Sequence, residues 1–500
     1  MHKFNSELSS WLSGIKPENL LSKATPYRKT KPKCLIVPHA GLKYSGRIAA
    51  SCYASVKPYA AKYSQVVLLA TNHSYNSDLH DAFYISHPSI AIPPPLHKSN
   101  QQQIKIVEAG DTELQSVFSK EHSWQIQLPF LNSVFPSIPI YPIIVSKCTT
   151  QLVELLEQMD TANTLWILST DLFHAGQLRE LSSLADAYRL RRYGPRFDYQ
   201  LPADKTIYDI QRNLVSALAS NTNAISIIEQ YRNSTICGIE VLACWFNMRF
   251  VDKYYGKIVA YGDSTTQTDC TKQNRHNNKR NYMRSSHYTL KNRSRKSRSD
   301  GNIVGYLGMI MIERGNLRPS SMTDCEATEL KGVAYNAILN RDASIIQPRF
   351  NIPEYGLRCG VFVTLRTLNG ELRGCIGTWS TDNTILDNVV RYARAAAFED
   401  NRFAPLNPVK EHFTIEITIL EKRHLVKGNA QEFLNRWRLG MDGVILELDG
   451  RTAIFLPSVP LEFGWNKEQT MQQLDEKAGL PTDSWKHPSA KRYLIPGFEV

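Results

Sequence analysis

At 500 residues the chain exceeds what one ordinary hydrophobic core supports and fits two or three domains. With 42% hydrophobic and 10% aromatic residues it reads as folded rather than disordered throughout, and no apolar run reaches the roughly 18 residues of a membrane span. The net charge of +12 is local: Thr271–Asp300 holds ten Lys and Arg against one acid, so +9 sits there and +3 on the other 470 residues, which makes nucleic acid an unlikely partner outside that segment.

The N-terminus, "MHKFNSELSSWLSGIKPENL", lacks the basic start and apolar centre of a secretory signal. Nine scattered cysteines with no C-x-x-C pair suggest free thiols and a cytoplasmic location. Next come four short apolar runs: "KCLIV" (Lys33–Val37), "QVVLLA" (Gln65–Ala70), "IPIYPIIV" (Ile138–Val145) and "TLWILS" (Thr164–Ser169). Each reads as a strand buried on both faces. Helical periodicity between them, as in Thr150–Met159 and Leu178–Leu190, predicts an α/β fold with a largely parallel central sheet.

"KIVAYGDS" (Lys257–Ser264) and "NIVGYLGMIMI" (Asn302–Ile312) read as two arms of a hairpin. The basic insert at 267–301 lies between them, polar and aperiodic, and reads as disordered. A solvated spacer is its simplest meaning; weak contact with a polyanion, or phosphorylation of "RSRKSRS", is the other. The first domain is expected at 1–312, a linker at 313–323 and a second domain at 324–500. That second half opens on a predicted helix, Glu326–Ile345. "CGVFVTL" (Cys359–Leu365), "FTIEITIL" (Phe413–Leu420) and a "DG" hairpin between "GVILEL" and "TAIFL" follow, which predicts an α+β fold with antiparallel strands.

Three strand-like runs in the first half lead into histidine. "LIVP" leads to His39, "VVLLATN" to His73, and "LWILSTDLF" to His174, with Asp171 just before it. Ligands in open α/β sheets bind beyond the carboxyl ends of the strands, so parallel strands would bring these rings to one edge. Cys237, in "STICGIEVLACWF", precedes a predicted helix whose N-terminal amides would favour a thiolate. Two imidazoles and a thiolate suit iron, copper or zinc and leave a coordination position open. Each residue alone also has a bland reading, as a capped ring or a small buried hydrophobe.

"VPHAGLKYSG", "EHSWQIQLPFL" (Glu121–Leu131), "STDLFHAG" (Ser169–Gly176) and "STICGIEVL" (Ser234–Leu242) resemble the successive motifs of the Memo family, over roughly residues 5–312. The resemblance implies a fold similar to the class III extradiol dioxygenases. It assigns iron or copper to His39, His73 and Cys237. It makes His174 the acid/base residue, with Asp171 assisting and His122 close by as a substrate-binding candidate. The chain departs from the pattern in three places. It starts inside the family's first helix; "ATNHS" stands where relatives have Gly-Pro before the histidine; Gln125 replaces a Glu.

In the second half, "NGELRGCIGTW" (Asn369–Trp379) sets Cys375 between glycines. Arg373 could lower its pKa and make it a nucleophile; a cysteine packed in a turn is the alternative. His412 and His424 are the histidines available as a base. "LRGCIGTW", "ARAAAFEDNRFAPL" (Ala393–Leu406), "FLPSVPLEFGW" (Phe455–Trp465) and "EKAGLPTDSW" (Glu476–Trp485) resemble the AMMECR family throughout. That resemblance implies a cleft around the "LRGCIG" segment. It makes Cys375 a catalytic candidate and Arg373, Asp400, Arg402 and Glu416 substrate-binding candidates.

A chain that joins both kinds of domain looks like part of the AmmeMemoRadiSam system. With no C-x-x-x-C-x-x-C motif of its own, it would work with a separate radical SAM protein on a small-molecule or peptide substrate, without a nucleotide cofactor. The expected reading is a metal-dependent oxidoreductase. The rival is a non-catalytic adaptor that binds a peptide or small molecule in a degenerate metal site.

Overall fold

The computed structural model describes residues 29–73, 82–85, 104–107, 117–175, 207–232, 234–264, 303–343 and 346–500. The start of the chain, the helix expected over 178–190 and the basic insert at 267–301 lie outside these residues.

The first half is built on nine strands: β1 (Cys34–Val37), β2 (Gln65–Thr71), β3 (Ala82–Ile85), β4 (Ile104–Val107), β5 (Ile140–Val145), β6 (Thr164–Ser169), β7 (His174–Ala175), β8 (Tyr254–Asp263) and β9 (Ile303–Glu313). Their order is β4-β3-β5-β2-β6-β1-β9-β7, with β8 paired to β9. The four central strands β5, β2, β6 and β1 run parallel. The flanks do not: β3 meets β5 antiparallel, and β9 meets β1, β7 and β8 antiparallel. The expectation of a largely parallel sheet is thus corrected to a mixed sheet. The central strands have the unbroken apolar runs of a parallel layer, and the antiparallel β8 and β9 are buried on both faces as well.

Those runs have a physical cause. Cys34, Ile36, Val67, Leu69, Trp166 and Leu168 enter one core, while Leu35, Val37, Val66, Leu68, Leu165 and Ile167 enter another on the opposite face. With both faces covered, no position along the strand faces water. The helix Leu42–Val56 covers one face, and Thr150–Gln158 with Ile239–Phe246 covers the other.

The second half carries β10 (Gly360–Thr367), β11 (Leu372–Thr378), β12 (Phe413–Leu420), β13 (His424–Leu425), β14 (Asp442–Leu448), β15 (Arg451–Phe455) and β16 (Lys491–Glu499). They pair antiparallel in the order β11-β10-β12-β16-β14-β15, with β13 beside β16. Asp449 and Gly450 turn the β14–β15 hairpin, both at positive φ (50° and 73°), the conformation that a two-residue turn between twisted strands requires. The helices Asp324–Leu339 and Ile385–Phe398 pack on this sheet. Their core is continuous with that of the first half: Ile258, Tyr261, Met309 and Met311 belong to the same buried cluster as Leu330, Val333, Phe350 and Tyr355.

Candidate functional site

Val37 and Ala70 both lie opposite Ser169 in the parallel register, so β1, β2 and β6 end nearly level. His39 and Asp171 follow two residues beyond β1 and β6, and His73 two residues beyond β2. The centre of this trio, β6, puts Asp171 between the two histidine-bearing ends. The rings converge: His39 and His73 centroids are 5.1 Å apart, His39 and His122 are 5.4 Å apart, and His122 stacks on His73 at 4.7 Å.

Cys237 arrives from the segment before the helix Ile239–Phe246. Gly238 makes the approach possible, because a Cβ there would stand 2.2 Å from Thr170. The Cys237 Sγ lies 3.2 Å from His39 Nε2 and accepts from the Asp171 amide at 3.4 Å. Three overlapping donor groups result: His39, His73 and Cys237; His73, Glu121 and His122; and Asp171, His174 and Cys237, the donor atoms of each within 4.8 Å of one another.

The hydrogen bonds fix which nitrogen faces inward. Ser169 Oγ donates its one hydrogen to the Ser123 carbonyl (2.6 Å), so toward His39 Nδ1 (3.1 Å) it accepts, as it does from Gln127 Nε2. His39 Nδ1 therefore carries the proton, and Nε2 presents a lone pair to Cys237. At His73 the partner of Nδ1 is Glu121 Oε1, 2.9 Å away. A carboxylate can only accept, so Nδ1 carries a proton here too and Nε2 is the nitrogen turned away from Glu121, toward the other donors.

Glu121 is fully buried and also accepts the amides of His73 (2.6 Å) and Ser123 (2.9 Å). Burial raises its pKa, but the His73 hydrogen bond and charge outweigh that and hold the carboxyl down to about 2. Asp171 behaves in the opposite way. Burial pushes it up to about 6, against the His39 and Ala40 amides that donate to Oδ1. Burial, with the neighbouring His73, His122 and His174, keeps the His39 ring far below its usual pKa, hence neutral.

The expected pull of the helix amides toward a thiolate at Cys237 is opposed here. Burial first, and then the Asp171 charge, pushes its pKa well up. His174 lies beside Asp171 and Cys237, its backbone held by Thr235: the amide donates to Oγ1 at 3.2 Å, and that hydroxyl donates back to the carbonyl at 2.8 Å. Gln125, the departure from the Glu of the pattern, donates to the Phe118 and Ser119 carbonyls, so it braces the preceding turn rather than facing the donors. Sequence reasoning missed Glu121, Ser169 and Gln127. The one available signal was the acid directly before His122 in "EHS".

In the second half, Cys375 on β11 lies across from Thr364, and Thr364 across from Glu416, so the three share one face of the sheet. Thr364 Oγ1 donates to the Cys375 sulfur at 3.2 Å, and the Cys375 amide donates to Asp400 at 2.8 Å. Arg402 grips Asp400 with two bonds of 2.9 and 2.7 Å and reaches the Cys375 carbonyl. The Arg402 hydrogen bond holds the Asp400 carboxyl down to about 2. Glu416 pairs with Arg366 at 2.7 Å.

Arg373 does not act on the thiol. It pairs with Glu411 at 2.9 Å and donates to the Ala404 carbonyl. Burial raises the Cys375 pKa, against the Thr364 hydrogen bond and the charges of Arg402 and Arg366. Among the described residues, neither His412 nor His424 is a partner of Cys375.

Two family models match the chain. One described as Memo-like protein covers residues 7–274, and one described as AMMECR1 covers 326–495. A protein of Thermococcus gammatolerans is 35% identical over 159 residues, 31% of this chain and 78% of the relative. One of Aquifex aeolicus is 36% identical over 148 residues, 29% of this chain and 75% of the relative. The crystal structure of an uncharacterised protein from Pyrococcus horikoshii matches at 31% identity with a TM-score of 0.33, over 34% of this chain and 88% of that one.

Proposed function

Because the chain belongs to the Memo-like protein family and carries an AMMECR1 domain behind that part, we propose that its first half binds a redox metal, iron or copper, in a pocket like that of the class III extradiol dioxygenases. His39 and His73 would bind through Nε2 and Cys237 through its sulfur. One observation carries this reading: both Nδ1 atoms are committed to acceptors, which turns two Nε2 lone pairs and one thiol toward the same point. A carboxylate or hydroxyl behind each ring is the usual support of a metal-bound histidine. The 3.2 Å from Nε2 to Sγ is near the roughly 3.5 Å edge of a tetrahedral centre with ordinary metal–nitrogen and metal–sulfur bonds.

The bound ion would supply the redox and Lewis-acid chemistry and would keep Cys237 as a thiolate despite its burial. The protein's own part is proton handling. Asp171, with a carboxyl pushed up to about 6, can take or give a proton near neutral pH, beside His174 as the acid/base. His122, the more exposed of the stacked pair, would meet the substrate. The second half would offer a cleft around Cys375, with Asp400, Arg402 and Glu416 available to a small-molecule or peptide substrate. Arg373 would brace that cleft's wall. A separate radical SAM protein would act as partner. Eight free cysteines among the described residues fit a cytoplasmic location.

Metal analysis of the tag-free protein tests the reading. About one iron or copper ion per chain is expected. No metal, even after anaerobic loading, would contradict it and favour the adaptor, with the histidine cluster as a binding pocket for a peptide or small molecule.

A further inference from the structure

A buried charge cluster lies where the two halves meet. Lys257, on β8, points its Nζ between two carboxylates of the second half, 2.5 Å from Glu326 Oε2 and 2.6 Å from Glu354 Oε1. All three side chains are sealed, at 0–1% exposure. Both Glu326 oxygens are engaged. Oε1 accepts the Ile258 amide at 2.9 Å, and Oε2 accepts the Thr323 amide at 2.9 Å as part of the helix cap. Glu354 Oε1 also accepts from Ser321 at 2.8 Å. Its other oxygen, Oε2, is buried and has no hydrogen-bond partner among the described residues.

The remaining groups near the cluster come from four elements. Lys29 lies ahead of β1 and feels both carboxylates. Tyr255 on β8 puts its ring 5.8 Å from the ammonium. Asp324, Cys325 and Glu329 belong to the helix Asp324–Leu339, and Tyr355 adjoins Glu354. With every carboxylate ionised, the acids outnumber Lys257 and Lys29. Burial penalises that surplus. One proton held between the Glu326 and Glu354 carboxylates would remove it.

We propose that Lys257, Glu326 and Glu354 form a proton-dependent clasp between the two halves, closed while the three side chains hold one extra proton and weakened when they lose it. The clasp acts on a strand that matters to the site. Its strand β8 pairs with β9, and β9 pairs with β1 and β7, which lead to His39 and carry His174. The direction of the pH effect follows from burial, which pushes the Glu326 carboxyl up to about 7 in spite of Lys257. The folded protein thus holds a proton that the unfolded chain releases. The clasp's contribution is complete below the ordinary Glu range and is lost as pH rises through about 7.

Hydrogen exchange of the full chain at pH 6 and pH 8.5, corrected for intrinsic exchange, tests this at the Ile258 and Thr323 amides, both of which donate to Glu326. Protection should fall about tenfold at the higher pH in the wild type. It should stay level in Glu354→Gln, which leaves one carboxylate to one buried ammonium. Glu326→Gln, whose amide oxygen can still accept from Ile258, should flatten the profile as well and serves if Glu354→Gln does not fold. A pH-independent wild type, or an equal loss of protection in the wild type and both variants, would overturn the proposal.

Discussion

Two of the described cysteines, Cys237 and Cys375, sit in candidate sites, and the two sites are built on opposite plans. Around Cys237 the neighbouring side chains are metal-type donors, the His39 and His73 rings and the Asp171 carboxylate, with one backbone amide and no guanidinium or ammonium opposite the sulfur among its described contacts. Around Cys375 the charges already cancel. Asp400 is held by Arg402, and Glu416 by Arg366. A cluster of donors without its own cation is suited to a metal ion. One whose carboxylates already have guanidinium partners is suited to a polar ligand that inserts into the ion pairs. Burial raises both thiols, so sulfur pKa alone does not separate the two sites; their counter-charges do.

The largest effect should fall on metal content. Cys237→Ala or His39→Ala should remove the ion, while Cys375→Ala should leave it unchanged, as read by metal analysis of the purified variants. Loss of metal in Cys375→Ala would break the distinction between the halves. Next, Glu121→Gln should weaken metal binding by about 10- to 100-fold in a chelator competition, because the Nδ1 support of His73 changes from a carboxylate to an amide. Unaltered affinity would mean that Glu121 does not orient the ring.

A smaller effect concerns pH. In the metal-free protein the raised Asp171 pKa makes its contribution to stability complete below its ordinary range near 3.8 and lost as pH rises through about 6. The bound on that change is about 3 kcal/mol. Denaturant unfolding of Asp171→Asn should show a shallower decline between pH 4 and 7 than the wild type. The smallest effect belongs to the second cleft. Iodoacetamide should modify Cys375 more slowly than a free cysteine at pH 8, and Arg402→Met should slow it several-fold further, since it removes the larger of the two cationic charges that oppose the rise. Faster alkylation in that variant would mean that access, not charge, controls this thiol.

Much of the first site was legible because its strands announce themselves. A run such as "TLWILS", apolar at every position, requires burial on both faces, and level parallel strands then carry their terminal residues to one edge. Glu121 was not legible in the same way. It belongs to no strand end and reaches His73 only because the turn at 117–125 packs across the end of β2. The antiparallel pairings of β3 and β7 escaped, since these strands are too short for a period to declare direction, whereas the β8–β9 hairpin was legible. Lys257 reads in sequence as the polar start of a strand. Nothing local marks it as the buried partner of carboxylates that come from a helix cap and a distant turn.

The most direct test of the central claim is a cobalt(II) titration of the metal-free protein under anaerobic conditions, followed by absorption. If the two Nε2 atoms and the sulfur share one ion, a thiolate-to-cobalt charge-transfer band will grow to saturation at about one equivalent and be missing in Cys237→Ser. A titration without that band, or one that persists unchanged in Cys237→Ser, would contradict the assignment.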